Sequence, residues 1–141
     1  MRRAQTDIRA DRIFETCLYA SDVTNVAEFY EHVFGLEIVA RFGTRGIALR
    51  CGANALLIFD PAETRLDTGV VPTHGTTGAG HVAFLASDDE LPSWRARLAE
   101  CAVTVEREVR WPEGGSSLYV RDPAGNSVEL APPTLWRGLG L

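Results

Sequence analysis

The chain has 141 residues, of which 45% are hydrophobic and 23% are charged, and its formal net charge is −5. This composition is typical of a globular protein of one ordinary domain, or of two small modules that share a core. The acidic balance argues against nucleic acid, because phosphate backbones require clustered Lys and Arg, and the apolar runs are shorter than the roughly 20 residues that span a bilayer.

The first half of the chain predicts one strand, one helix and three further strands. Residues 1–11 are polar, without the apolar segment of a secretory signal, and predict a flexible leader. ETCLYASDV, from Glu15, has the alternation of a half-buried strand, and LEIVARF, GIALRC and ALLIF are later strand patterns. The helix between them should end at Gly35 and has apolar residues at helical spacing: Val26, Phe29, Tyr30, Val33 and Phe34. We predict a first βαβββ module at 12–61.

The second half repeats this pattern after a connector at 62–79 that is rich in Gly, Thr and Pro. HVAFLASDD begins at His81, 66 positions after Glu15, and reaches the same Ala-Ser-Asp tripeptide. A helix pattern and the strand patterns VTVEREV, SLYVR and NSVELA follow. We predict a second βαβββ module at 80–132 and a C-terminal tail at 133–141. The repeat predicts an α+β fold in which the two sheets close against each other.

The cysteines indicate a reducing compartment. Cys17, Cys51 and Cys101 form no CxxC pair and leave an odd thiol in any disulfide scheme. This pattern predicts a cytoplasmic protein. Cys17 and Cys51 lie in apolar strand patterns, so we interpret them as buried small hydrophobic residues and not as nucleophiles.

Two residue types that can bind metal begin the repeated strands. Alternation places Glu15 on the face of its strand opposite the one that packs on the helix, and His81 behaves likewise. Glu129 is the one charge in the last strand pattern, and a buried carboxylate needs a partner or a metal. The alternatives are a solvated Glu15, a satisfied interior His81, and a Glu129 paired with Arg50 or Arg121.

The βαβββ repeat, the two ASD corners, the stretch EFYEHVFGLEIV and the ending DPAGNSVEL resemble the vicinal oxygen chelate superfamily. This group includes glyoxalase I, extradiol dioxygenases, fosfomycin-resistance enzymes and bleomycin-resistance proteins, and the resemblance covers roughly residues 12–133. It implies a paired, incompletely closed sheet barrel around a central cavity. It also implies a metal between the sheets, and the corresponding positions here are Glu15, Leu57 or Ile58, His81 and Glu129.

The resemblance implies a metal-dependent lyase, isomerase or dioxygenase. Glu15, His81 and Glu129 would hold a divalent ion (Fe, Mn, Ni, Co or Zn) that chelates vicinal oxygens of the substrate, and Glu15 or Glu129 would also carry protons. The fourth ligand position is apolar, unlike that of glyoxalase I. The histidine that precedes the LYVRDPAGNSVE tail in extradiol enzymes is absent, which argues against ring cleavage.

Further catalytic candidates are His74 in the connector and Tyr119 in the tail of that signature. His74 is either an acid or base on a lid over the pocket or an exposed loop histidine. Tyr119 is predicted to line the cavity together with Tyr19, Trp111 and Trp136, which suits a flat apolar substrate.

The main alternative function is a metal-free protein, similar to bleomycin-resistance proteins, that binds and sequesters a small molecule. The net charge of −5 would suit a cationic ligand. A structural or regulatory protein without a ligand is a third possibility. We expect a small-molecule partner, no nucleic acid or membrane partner, and, from the resemblance, a homodimer whose modules pair within one chain or exchange between two.

Overall fold

The computed structural model describes residues 8–139, so parts of the predicted leader and tail, residues 1–7 and 140–141, lie outside the described residues. The strands are β1 (Glu15–Tyr19), β2 (Glu37–Arg41), β3 (Gly46–Cys51), β4 (Asn54–Phe59), β5 (His81–Leu85), β6 (Arg107–Arg110), β7 (Ser116–Arg121) and β8 (Ser127–Ala131). The helices are α1 (Val23–Phe34), α2 (Pro61–Thr64) and α3 (Leu91–Glu100), with 3-10 segments at Asp88–Glu90 and Pro133–Leu139. Within the described range, no helix has the length and apolar character needed to cross a membrane.

Each half of the chain forms a four-stranded mixed sheet with the same topology. The strand orders are β1-β4-β3-β2 and β5-β8-β7-β6. In each sheet the first strand runs parallel to the fourth, and the remaining pairs are antiparallel. Neither sheet closes on itself, because β1 and β5 remain at an edge. The predicted α+β fold of two repeated βαβββ modules is therefore confirmed.

Helix α1 has a clear signal at each end. The Asp22 carboxylate accepts a hydrogen bond from the backbone N–H of Asn25 at 3.1 Å, which satisfies a donor that the helix itself leaves free. Gly35 follows the last helical residue with a φ of 71°, and its N–H donates to the carbonyl of Glu31. This left-handed conformation favours glycine, so the predicted stop at Gly35 is confirmed.

The two modules share one hydrophobic core on the helix-bearing faces of their sheets. The ring of Phe34 in α1 stacks on Phe84 of β5, with centroids 4.9 Å apart, and lies 5.6 Å from Trp94 of α3. Leu18 of β1 and Leu130 of β8 belong to the same buried cluster. Full burial of one such side chain contributes about 1.5–3 kcal/mol. The opposite face of each sheet takes no part in this core.

A buried polar network joins α1 to the turn before β8. The Tyr30 hydroxyl donates to Oδ2 of Asp122 at 2.8 Å, and Nδ2 of Asn126 donates to the same oxygen at 2.9 Å. Oδ1 of Asn126 accepts from the N–H of Gly80, just before β5, at 2.7 Å. Burial and the Asp122 carboxylate raise the pKa of Tyr30, so its hydroxyl stays a donor. The network fixes the starts of β5 and β8 relative to α1.

The connector packs back onto the end of the first module. The backbone N–H of His74 donates to the carbonyl of Thr64 at 3.0 Å. Gly75 follows with a φ of 142°, and a Cβ at this position would lie 2.9 Å from Oγ1 of Thr64. Glycine therefore permits the close approach that brings His74 over the first sheet.

The strand predicted from VTVEREV is shorter than its pattern. β6 contains only Arg107–Arg110, because Ala102 turns the chain with a φ of 55° and Val103 and Val105 pack against the core cluster. Glu106 precedes β6 and donates its N–H to the carbonyl of Tyr119 at 2.8 Å. Core packing therefore replaces strand pairing over the first half of this pattern.

Candidate metal and substrate site

The strand registers show which residue of the first sheet corresponds to Glu129. β4 places Leu57 opposite Cys17 of β1, and β8 places Glu129 opposite Ala83 of β5 in the same way. Leu57 is thus the counterpart of Glu129, on the face away from the helices, where it packs with Cys17. Ile58 is fully buried on the helix side. Of the two residues that the sequence left open, Leu57 is the one that corresponds in register to Glu129.

His81 and Glu129 form a pair on the open face of the second sheet. Nε2 of His81 lies 3.2 Å from Oε1 of Glu129. The imidazole side chain is 50% exposed, whereas the carboxylate side chain is only 6% exposed. Arg50 and Arg121, the alternative partners of Glu129, form ion pairs with other carboxylates. The structure therefore places a nearly buried carboxylate beside a solvent-accessible imidazole.

The backbone fixes the proton on the His81 ring. Nδ1 lies 3.0 Å from the carbonyl oxygen of Ser127, which can only accept, so Nδ1 carries the hydrogen. In the protonated imidazole Nε2–H donates to Oε1 of Glu129, whereas in the neutral imidazole the Nε2 lone pair points at that oxygen. Lone pairs this close repel unless a proton or a cation lies between them. Metal-binding histidines commonly have this arrangement, in which one ring nitrogen donates to a backbone carbonyl and the other is free to ligate.

The second oxygen of Glu129 is held by two side chains in series. The Ser117 hydroxyl donates to Oε2 at 2.7 Å, and Nε1–H of Trp111 donates to the Ser117 oxygen at 2.8 Å. Ser117 is fully buried. These bonds orient the carboxylate so that Oε1 remains for His81. Ser117 was not predicted from the sequence, although its place two residues before Tyr119 puts it on the same face of β7.

Tyr119 lies directly across from Glu129 in the β7–β8 register. Its ring is nearly parallel to that of His81, with centroids 6.4 Å apart and planes at 19°. Burial and the negative charge of Glu129 raise the pKa of Tyr119. The phenol therefore keeps its proton at neutral pH and can donate a hydrogen bond beside the pair.

A separate cleft of about 520 Å³ lies on the open face of the first sheet. Nδ1 of His74 lies 2.6 Å from the Tyr19 hydroxyl, and its ring meets Phe59 edge-on at a centroid distance of 5.2 Å. His74 is thus half-buried and packed, not an exposed loop residue. The cleft is lined by Glu15, Cys17, Phe42, Arg45, Leu57, Phe59, Val71, Pro72, Thr73 and His74.

The three predicted ligands are divided between the two sheets of one chain. Glu15 lines the cleft on the first sheet, whereas His81 and Glu129 lie together on the second. Among residues 8–139, no group of three or more His, Cys, Asp and Glu side chains is close enough to hold a metal ion. One chain therefore presents the predicted metal site as two separate partial sites, one on each sheet.

Comparison with known proteins agrees with this fold. A family model described as the Glyoxalase/Bleomycin resistance protein/Dioxygenase superfamily matches residues 12–130. A crystal structure of lactoylglutathione lyase from Agrobacterium tumefaciens is 43% identical, covers 91% of this chain and 98% of its own, and has a TM-score of 0.86.

Two more distant structures share the fold. A glyoxalase/bleomycin resistance protein/dioxygenase from Nocardioides is 21% identical, with coverage of 90% and 86% and a TM-score of 0.72. TioX from Micromonospora sp. ML1 is 19% identical, with coverage of 86% and 98% and a TM-score of 0.67. No curated protein matched the chain in a sequence comparison. The chain belongs to the glyoxalase, bleomycin resistance protein and dioxygenase superfamily.

Proposed function

We propose that this protein is a metal-dependent enzyme that acts on a small molecule, with lyase chemistry favoured over ring cleavage. The observation that carries the proposal is the contact between Nε2 of His81 and Oε1 of Glu129 at 3.2 Å, which places an imidazole nitrogen and a carboxylate oxygen together on the open face of the second sheet. The 43% identity to a lactoylglutathione lyase supports an enzyme of the glyoxalase type.

The donor atoms fit a divalent transition-metal ion. One imidazole nitrogen and two carboxylates, from His81, Glu129 and Glu15, suit Fe, Mn, Co, Ni or Zn. With Leu57 at the fourth position, open coordination sites would remain for substrate. When bound, the ion would act as a Lewis acid toward vicinal oxygens of the substrate and stabilise negative charge on them.

The side chains of the protein have distinct roles in this proposal. Ser117 holds Glu129, and the Ser127 carbonyl holds the His81 ring. The carboxylates of Glu15 and Glu129 are the proposed proton carriers, able to accept a proton from a substrate carbon next to a carbonyl and return it to the neighbouring carbon. Tyr119 would donate a hydrogen bond to a substrate oxygen. His74, bonded to Tyr19, is the proposed acid or base within the cleft.

A homodimer would unite the two partial sites. In a two-fold dimer, the first sheet of one protomer would face the second sheet of the other and bring Glu15 to the partner's His81 and the partner's Glu129. The second sheet favours such a contact, because Leu85 is 75% exposed and Trp136 is 58% exposed beside it. Light scattering at several protein concentrations tests whether the protein is a dimer.

One observation favours the metal-free alternative, a protein that binds and sequesters a small molecule. Leu57 stands at the position where the family resemblance implies a metal-binding side chain, and it adds to the apolar lining of the cleft. An apolar cleft can bind a small molecule without a metal. The 43% identity to a lactoylglutathione lyase favours the enzyme, so we rank this alternative second.

The decisive experiment is the metal content of protein purified without a chelator or an affinity-tag metal. We expect one tightly held transition ion for each set of His81, Glu129 and Glu15, absent from a His81→Ala, Glu129→Ala variant. His32→Ala, at an exposed position on α1, is the matched control. Absence of an ion, and no uptake of Mn, Fe, Co, Ni or Zn, would favour sequestration.

Two further predictions belong to this proposal. The modules at 12–61 and 80–132 and the connector at 62–79 are supported by the two sheets and by the packing of the connector, and the leader at 1–11 and the tail at 133–141 stay predictions. The cytoplasmic location stays a prediction, to be tested by fractionation of the cells that make the protein.

A further inference from the structure

Arg45 differs from the other arginines of the chain. Among residues 8–139 it is the one arginine that is not exposed. Its guanidinium lies 6.0 Å from the ring centroid of Phe59 and donates a long hydrogen bond of 3.4 Å to the carbonyl of Glu63. No carboxylate in the described part of the chain lies within 4.0 Å of it, in contrast to Arg50, Arg95 and Arg121. Within the described residues, Arg45 is thus a half-buried cation without an ion pair.

The backbone that carries Arg45 is held firmly. The N–H of Arg45 donates to the carbonyl of Phe42 at 3.0 Å, and its own carbonyl accepts from the N–H of Asp60 at 2.9 Å. Gly46 packs so closely that a Cβ there would lie 2.8 Å from the carbonyl oxygen of Ile58. The hairpin between β2 and β3 therefore presents Arg45 to the cleft from a fixed backbone position. This lowers the conformational entropy that is lost when a ligand binds.

The cleft around Arg45 is apolar. The rings of Phe42 and Phe59 stand at 25° to each other with centroids 6.4 Å apart, and Leu57, Val71 and Pro72 add to the lining. Glu15 is the one carboxylate in that lining. Apolar walls strengthen the attraction of a cation for an anion, and a guanidinium binds a carboxylate through two parallel hydrogen bonds.

We propose that this cleft binds a flat apolar group that carries a carboxylate, and that Arg45 is the residue that selects the anion. Arg45 supplies a cation for an anionic ligand in this cleft, although Glu15 lines the same cleft and the net charge of the chain is −5. The assignment rests on the proposed function in treating the cleft as the substrate side of the site. Recognition of the carboxylate itself requires no metal.

The test compares two probes that differ only in charge. Binding of 2-naphthoate and 2-naphthamide to the full chain is measured by calorimetry after removal of metal with EDTA and dialysis. We expect the carboxylate to bind about tenfold more tightly, as a charge-assisted hydrogen bond predicts. Arg45→Met should abolish this preference, and Arg45→Lys should retain part of it. Arg41→Met removes the same charge from an exposed position at the end of β2 and should leave the preference unchanged.

Three results would overturn the proposal. These are equal binding of both probes by the unmodified protein, no binding of either probe, and an undiminished preference in a folded Arg45→Met variant. Circular dichroism melting establishes that each variant is folded. If Arg45→Met unfolds, the probe preference of Arg45→Lys is the second test. Metal content is measured on the same preparations. Anion preference without metal uptake would contradict the proposed enzyme alone, and metal uptake without anion preference would contradict the Arg45 assignment alone.

Discussion

The Ser117 hydroxyl donates a hydrogen bond of 2.7 Å to Oε2 of Glu129, and this bond leaves the other carboxylate oxygen to His81. Trp111 completes the arrangement by donating its indole N–H to the Ser117 oxygen. The orientation of the Glu129 carboxylate is fixed because one oxygen accepts a hydrogen bond from Ser117 and the other contacts the His81 imidazole. Such outer partners commonly change metal affinity when they are removed.

Replacement of Ser117 tests this arrangement. Ser117→Ala leaves the Glu129 carboxylate without its buried donor, and we expect a metal affinity lower by about 10–100-fold. The loss should also destabilise the fold by about 1–3 kcal/mol. Chelator competition with Co²⁺ and urea denaturation measure the two effects. Ser116→Ala is the matched control, since its side chain makes no hydrogen bond to Glu129. Equal affinities in the two variants would show that Ser117 does not position the ligand.

A fourth ligand can be introduced at Leu57. Because Leu57 is the register counterpart of Glu129, Leu57→Glu should tighten metal binding by about tenfold, equivalent to about 1.4 kcal/mol. The metal-free variant should be less stable, since the new carboxylate is buried. Leu57→Gln has the same shape without the charge and should gain no affinity. Weaker metal binding by the Glu variant would place position 57 outside the metal site.

The bond between Tyr30 and Asp122 should contribute to stability. Tyr30→Phe removes the hydroxyl that donates to the buried carboxylate at 2.8 Å, and we expect a loss of about 1.5–3 kcal/mol in the free energy of unfolding. A double-mutant cycle with Asp122→Asn isolates the pair from the other contacts of Tyr30. Additive effects in that cycle would mean that the two residues are not coupled.

The same tyrosine predicts a loss of stability at alkaline pH. Burial raises the pKa of Tyr30 in the folded protein, so the unfolded chain loses this proton first, at a pKa of about 10. Its stabilising contribution is complete below that pH and decreases above it, by up to about 1.4 kcal/mol per pH unit. Urea denaturation between pH 8 and pH 11 should show a smaller decline for Tyr30→Phe. An identical decline in both proteins would contradict this assignment.

Much of the fold could be predicted from the sequence because the helical spacing and the strand alternation of apolar residues both occur in each half of the chain. The apolar spacing of α1, the stop at Gly35 and the alternation on each side of Leu18 and Val82 follow from local geometry alone. Phe14 shows the limit of this reasoning. It continues the alternation of β1 but is 76% exposed, because it precedes the first residue of an edge strand and lies beyond the core cluster.

The candidate site could be predicted only in part. Glu15, His81 and Glu129 stand out because charged or ligating residues are unusual in strand patterns. Ser117 and Arg45 do not stand out, since a serine in a strand and an arginine in a hairpin are ordinary. Their roles depend on burial and on contacts with distant residues. The separation of Glu15 from His81 depends on how the modules pack, which no local pattern contains.

The separation of Glu15 and His81 on different sheets has a genetic consequence. In the proposed dimer, every complete site takes one half from each chain. A mixed dimer of a Glu15→Ala chain and a His81→Ala chain would therefore contain one site with both defects and one site with neither. Two inactive alleles should complement each other when they are expressed in the same cell.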